Sequence, residues 1–302
     1  MREVSHKTPG WTWPDHHLHS NIAWETMRVM INPETDRVLI TGAAGAIGTA
    51  LRNGLRGTWR HLRLTDVRPL QNVASNEETV VSDIGDRSAL ERMMQDVSAV
   101  VHLAGVMGSY TLEDLFRVNA RGLFDVFESA RLADVDRIVF ASSNHTFGCY
   151  PITERVSPEL PPRPDSLYGV FKVWGETMLR NYYDRYGVRS VSLRIGTYRL
   201  EPIDQRSLAT WLSPRDMAHL VDVSLRHPDP GCMIVNGYSN NTRLKTHDPN
   251  WAMLGYQPRD NAEDYRETLR VNGVDVDAPD RDEWEWPEHG GSHARTAERP
   301  PR

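Results

Sequence analysis

The sequence predicts a doubly wound α/β domain: a parallel sheet with helices on both faces, followed by a small C-terminal substrate-binding portion. Three observations predict it. Short apolar runs alternate with helical spacings from Arg37 to Gly196, the first run empties into a glycine-rich turn, and the second ends on an acid.

The elements follow in order. Residues 1–35 have no sustained period and are expected to be a poorly ordered extension, ending in the turn-rich Asn32-Pro33-Glu34-Thr35-Asp36. Arg37–Thr41 reads as a first strand, and Ala46–Leu55 has helical apolar spacing. His61–Asp66 alternates as a second strand, Thr79–Ser82 as a third, and Ser88–Gln95 reads as a capped helix. Ala99–Leu103 is a buried fourth strand, Thr111–Leu132 a helix, and Arg137–Ser142 a fifth strand. Tyr168–Tyr186 is a long helix closed by Gly187 at the position that favours a left-handed residue, and Ser190–Arg194 is a sixth strand. The dinucleotide-binding (Rossmann) domain is thus 36–196.

The rhythm then breaks. Residues 197–213 read as irregular, Pro214–Leu225 as a helix with Ser213 as N-cap, and Met233–Asn236 as a strand returning to the core. Residues 197–280 form the substrate-binding portion, and 281–302 are expected to be a frayed polar tail.

Composition narrows the function. The 302 residues carry a net charge of −6, so no basic field exists to condense on nucleic acid or an anionic membrane. No apolar run is long enough to span a bilayer, and the first 20 residues lack the apolar centre of a signal peptide, so the chain reads as cytoplasmic. Cys149 and Cys232 form no disulfide framework. His16, His17 and His19 have no carboxylate or cysteine at metal-ligand spacing, and no metal is expected. Only three lysines, Lys7, Lys172 and Lys245, stand among the 35 basic residues, which marks a retained lysine for chemistry that arginine cannot perform.

Three constellations carry that chemistry. The first is Gly42-x-x-Gly45-x-x-Gly48 between strand and helix. Its glycines let a pyrophosphate approach the backbone, and the helix start supplies free N–H groups. Asp66, at the end of the next strand, can accept both ribose hydroxyls and repels a 2′-phosphate, favouring NAD, although Arg68 is placed to reach a phosphate. The second is Tyr168-x-x-x-Lys172, one face of a helix. The ammonium, with the positive ring of an oxidised nicotinamide, is expected to bring the phenol into range as a base. The third is Ser142-Ser143-Asn144-His145 at the carboxyl end of the fifth strand, where open sheets bind ligands. Ser143 can hold a reacting oxygen, and Asn144 and His145 suit a polyhydroxylated substrate.

Together with His102-Leu103-Ala104-Gly105, Asp83-Ile84 and Asn119, these residues make 36–240 resemble the extended short-chain dehydrogenase/reductase family. The resemblance implies Tyr168 as general base, Lys172 as its tuner and a ribose ligand, and Ser143 as orienter of the hydroxyl. It implies a cofactor site of Gly42, Ala44, Gly45, Ala46, Ile47, Gly48, Asp66, Leu103, Ala104, Gly105 and Lys172, with Asp83 and Ile84 flanking the adenine. Asn119 would support the active-site helix.

Within that family the chain most resembles the uronate dehydrogenases, through Ala141–His145, Arg163–Gly169, Leu193–Thr197 and Ala209–Ser213. Those enzymes oxidise the anomeric carbon of a hexuronic acid to a lactone. The resemblance implies that Ser143, Asn144, His145, Tyr168 and Thr197 meet the sugar and that Arg206 clamps its carboxylate. Val106-Met107-Gly108 departs from their pattern, because Met107 stands where they carry a small hydroxyl residue; the loop from His145 to Tyr168 is also slightly longer. A nucleotide-sugar epimerase or dehydratase, or a non-catalytic NAD-binding protein, are the other readings. The expected partners are a sugar acid or sugar and further copies of the chain.

Overall fold

The computed structural model describes residues 30–108, 110–277 and 288–291. The chain runs through β1 (Arg37–Thr41), α1 (Ala46–Leu55), β2 (His61–Asp66), β3 (Glu77–Val81), α2 (Arg87–Met93) and β4 (Ala99–His102). One long helix follows, made of α3 (Leu112–Asp114), a π-helical stretch (Leu115–Gly122) and α4 (Leu123–Leu132). Next come β5 (Arg137–Ser143), α5 (Leu167–Tyr186), β6 (Arg189–Ile195), β7 (Thr197–Tyr198), α6 (Ser207–Thr210) and β8 (Trp211–Leu212). The chain continues with α7 (Pro214–Arg226), β9 (Cys232–Gly237), α8 (Asn250–Leu254) and α9 (Arg266–Val271).

Seven strands form one parallel sheet in the order β3-β2-β1-β4-β5-β6-β9. Alternate residues along each strand face opposite sides, which splits the core in two. Val38 and Ile40 of β1, Val101 of β4 and Val139 of β5 pack with Leu51, Leu55, Met217 and Leu220 of α1 and α7. Leu39, Val100, Ile138 and Phe140 face the other way, onto Leu90, Val126, Phe127 and Leu179 of α2, α4 and α5. The predicted doubly wound α/β architecture is the one observed.

Two local features aim α5 at the site. The Ser166 hydroxyl accepts the Gly169 N–H at 3.2 Å and caps its start, and Gly187, at φ +73°, ends it as expected. Gly175 lets the helix lie against β5, since a Cβ there would stand 2.7 Å from the Phe140 ring.

The structure differs from expectation in three places. Residues 197–213 hold the β7–β8 pair and α6, elements too short to leave a period in the sequence. The helix expected from Thr111 has a wide π-turn around the buried Asn119. The frayed tail is corrected for residues 288–291. His289, Gly290 and Gly291 are buried, and Glu288 bridges to Pro151, because the segment pairs its backbone with residues 148–151 after β5, which polar composition does not reveal. The expectations for residues 1–29, 281–287 and 292–302, including His16, His17 and His19, lie outside the described residues. Among the described residues no helix is long and apolar enough to cross a membrane, and no group of three His, Cys, Asp or Glu could hold a metal.

Candidate active site

The carboxyl ends of β1, β2 and β4 open onto a cleft of 540 Å³ whose lining includes Gly42, Asp66, Ile84, Leu103, Ala104 and Gly105. Gly42 has φ +70°, and a Cβ on it would meet the Ala104 nitrogen at 2.7 Å. A Cβ on Gly48 would stand 2.6 Å from the Gly42 oxygen, so the turn closes only with glycine at both ends. Gly45 caps α1 without a side-chain hydrogen bond, which leaves the first-turn amides for an anion. Ala44 lies in the turn, and Ala46 and Ile47 open the helix; none of the three lines this cleft.

Asp66 is nearly buried. Its carboxylate accepts the Ala44 and Arg68 backbone N–H groups at 3.0 Å each. Arg68 folds back on it through Nε at 3.4 Å, while Nη2 donates to the Ala44 carbonyl at 2.9 Å. The guanidinium is therefore engaged by the acid that the sequence set it against. Asp83 accepts from Arg117 at 3.0 Å, and Ile84 packs under Gly122. A cradle without side chains, free helix amides and a fixed carboxylate fit a dinucleotide with an unphosphorylated ribose.

Ser143 ends β5, and its hydroxyl accepts the His145 N–H at 3.2 Å. Tyr168 sits in the first turn of α5, and Lys172 follows one turn later. Nζ of Lys172 donates to the Ala141 carbonyl at 2.7 Å and lies 5.2 Å from the Tyr168 ring centre. The expected lowering of the phenol is absent in the chain alone. Burial pushes Tyr168 up to about 12, partly offset by the Ser143 hydroxyl, and pulls Lys172 down to about 8. The same desolvation penalises phenolate and ammonium alike, and a further positive charge is needed to bring the phenol down.

The remaining substrate candidates meet at a second cluster. Nδ1 of His145 hydrogen-bonds the Asp165 carboxylate at 2.7 Å, and the His145 ring meets Tyr168 edge to face at 5.8 Å. Asn144 donates to the His289 carbonyl at 3.4 Å. Arg206 donates to that carbonyl through Nε at 2.9 Å and Nη2 at 2.5 Å, and to Thr197 Oγ1 through Nη1 at 2.9 Å. Burial pulls its guanidinium below the ordinary value, and among the described residues it has no carboxylate within ion-pair distance. Met107 is exposed in the loop after β4.

Sequence reasoning missed three groups. Asp165 orients His145 and accepts the Ser166 hydroxyl at 2.8 Å; its place just before the cap of α5 was the available signal. Glu176 lies under the site and receives Ser142 at 2.6 Å and Arg194 through two bonds at 2.9 and 2.8 Å. His289 acts through its carbonyl, which no residue type announces. Asn119, expected to support the active-site helix, clasps the Val106 backbone with its amide at 2.9 and 2.7 Å and so holds the loop after β4.

Residues 38–201 match the sequence profile of the NAD dependent epimerase/dehydratase family. The chain is similar to a uronate dehydrogenase of Pseudomonas putida, 40% identical over 237 residues, covering 78% of this chain and 88% of that protein. It is also similar to an L-arabinose 1-dehydrogenase (NAD(P)(+)) of Haloferax volcanii, 33% identical over 255 residues, covering 75% and 97%. Among solved structures it resembles a tyrosine-to-alanine mutant of the Agrobacterium tumefaciens uronate dehydrogenase complexed with NAD. The TM-score is 0.79 at 37% identity, over 86% of this chain and 97% of that one.

Proposed function

The chain belongs to the NAD dependent epimerase/dehydratase family, and from that premise we propose that it is an NAD-dependent dehydrogenase oxidising the anomeric carbon of a hexuronic acid to a lactone. One observation carries the choice of a sugar acid: Arg206, a part-buried guanidinium with no carboxylate within ion-pair distance among the described residues, tied through the His289 carbonyl to Asn144 beside Ser143. A part-buried guanidinium that pairs with no carboxylate at short range is completed by a ligand anion. The uronate carboxylate is that anion.

The cleft residues Gly42, Gly45, Asp66, Asp83 and Ile84, with Gly48 closing the turn behind them, would hold NAD, which when bound takes up the hydride and places a positive charge in the site. Ser143 holds the anomeric oxygen. Tyr168 accepts the proton from the anomeric hydroxyl as its phenolate, the form that the added positive charge favours, and Lys172 keeps it in a positive environment from its seat on Ala141. Asp165 holds Nδ1 of His145 and so fixes the ring beside Tyr168, and Asn144 and Thr197 complete a polar wall for the sugar hydroxyls.

NADH absorbance after mixing the chain and NAD with galacturonate, glucuronate, galactose, arabinose and glucose 6-phosphate tests the reading. Net NADH with uronates at far higher kcat/KM than with neutral aldoses is expected. Preference for an aldose would sink the uronate assignment, and retention of NAD without net redox would favour an epimerase. The proposal extends to self-association: Phe116, Leu132, Val170 and Tyr186 are large apolar side chains left exposed on the two helices beside the site. Light scattering that reports a monomer at micromolar concentration would remove that part.

A further inference from the structure

Residues 288–291 sit where a loose tail has no reason to be. The His289 N–H donates to the Tyr150 carbonyl and the Gly290 N–H to the Gly148 carbonyl, each at 2.9 Å. The His289 ring bonds the Glu154 carbonyl at 2.9 Å through Nε2 and stands edge to face on Phe147 at 5.7 Å. Both glycines are required by their neighbours. A Cβ on Gly290 would lie 1.8 Å from the Asp165 carboxylate that holds His145. Gly291 has φ +62°, and its Cβ would stand 3.0 Å from Cδ of Arg206. The segment is thus threaded between the partner of one substrate residue and the stem of another.

Its carbonyl does the positioning. The Nε–H and one Nη2–H of Arg206 converge on the His289 oxygen, and one Nη1–H is taken by Thr197. Of five N–H groups, one on Nη1 and one on Nη2 stay uncommitted among the described residues, and a carboxylate binds such a pair with two parallel hydrogen bonds.

We propose that Glu288–Gly291 is a specificity-determining part of the substrate site, in which the His289 carbonyl fixes the Arg206 guanidinium plane to receive a sugar carboxylate. The inference rests on the uronate reading for the identity of that ligand. The carbonyl holds Arg206 on one edge and Asn144 on another, so the segment couples the carboxylate end of the sugar to the Ser143 end.

The test uses full-length Gly291→Ala and Gly290→Ala, with Arg206→Met as background. Gly291→Ala is expected to raise the uronate KM about tenfold or more with kcat changed less than about threefold and NAD affinity unchanged. In the Arg206→Met background the same substitution should add no further KM penalty, as for two residues acting through one contact. An unchanged uronate KM in both glycine variants would overturn the proposal. So would an equal penalty with and without Arg206, or loss of NAD binding in both, which would make the segment a general folding element. A wild-type chain silent on uronates would defeat the proposed function instead. The hold on Arg206 is then read by phenylglyoxal labelling and peptide mapping: faster modification in the glycine variants supports it, and equal rates overturn it.

Discussion

Lys172 reaches under α5 to donate its Nζ to the Ala141 carbonyl at 2.7 Å, so the ammonium is anchored to the strand that ends in Ser143. The anchor is bought at a cost in desolvation. Burial pulls Lys172 down to about 8 from 10.5, so the unfolded chain binds more protons than the folded one between those values. Stability therefore rises with pH across that window, by at most about 3 kcal/mol at 1.36 kcal/mol per unit. Lys172→Met should abolish this rise. At neutral pH the relief of burying a charge and the loss of the Ala141 hydrogen bond nearly cancel, so the urea midpoint should barely move. Turnover should still fall at least about a hundredfold. A variant whose stability climbs between pH 8 and 10.5 as the wild type's does would show that the ammonium is not the titrating group.

The phenol gives a second expectation. Tyr168 is pushed up to about 12 in the chain alone, so it should contribute no phenolate absorbance at pH 9. Difference spectra of wild type against Tyr168→Phe, with and without NAD, measure this directly. NAD is expected to bring the transition down, because a positive charge near the phenol favours its ionised form. Tyr168→Phe should keep NAD affinity and lose turnover by about a thousandfold. A variant that retains more than about a tenth of wild-type turnover removes Tyr168 as the base.

Much of this was legible in the sequence because the fold is periodic and its cofactor turn depends on residue type. Val38, Leu39 and Ile40 announce a strand buried on both faces, and Gly42 and Gly48 announce a turn that closes only with glycine at its ends. Tyr168 and Lys172 were legible for the same reason, since their spacing on a helix is local. Long-range geometry was not. The partner of Arg206 is a backbone carbonyl 83 residues away, and every residue offers one. The backbone partner of Asn119 was not legible either, because the π-turn that carries it leaves no mark in the apolar pattern of the helix. The upward shift of Tyr168 in the chain alone was not legible, because burial is a property of the assembled site; the expected lowering includes the charge of the oxidised nicotinamide.

Coenzyme choice is expected to turn on Asp66. Its carboxylate holds the Arg68 side chain through Nε at 3.4 Å, so one residue both repels a 2′-phosphate and withholds the cation that would bind it. Asp66→Ser should reverse both effects, raising the ratio of NADP to NAD kcat/KM by about tenfold or more. Adding Arg68→Ala should cancel the gain in NADP use without restoring NAD. A ratio unchanged in Asp66→Ser would mean that the ribose is read elsewhere.

Glu176 supports the site from below. Its two oxygens receive Arg194 and the Ser142 hydroxyl, both carboxylate and guanidinium are almost wholly buried, and Arg194 Nη1 already lacks a hydrogen-bond partner among the described residues. Removing one partner strands the other as an unpaired buried charge, a loss of about 3–5 kcal/mol, whereas removing both strands nothing. Glu176→Leu should therefore lower unfolding stability by that amount in urea titrations. The double variant with Arg194→Met should recover most of it. Glu176→Gln keeps two hydrogen-bonding atoms and loses the charge, so it should fall between. If Glu176→Leu costs less than about 1 kcal/mol, water reaches the pair and the strand end beside Ser143 is not held by it.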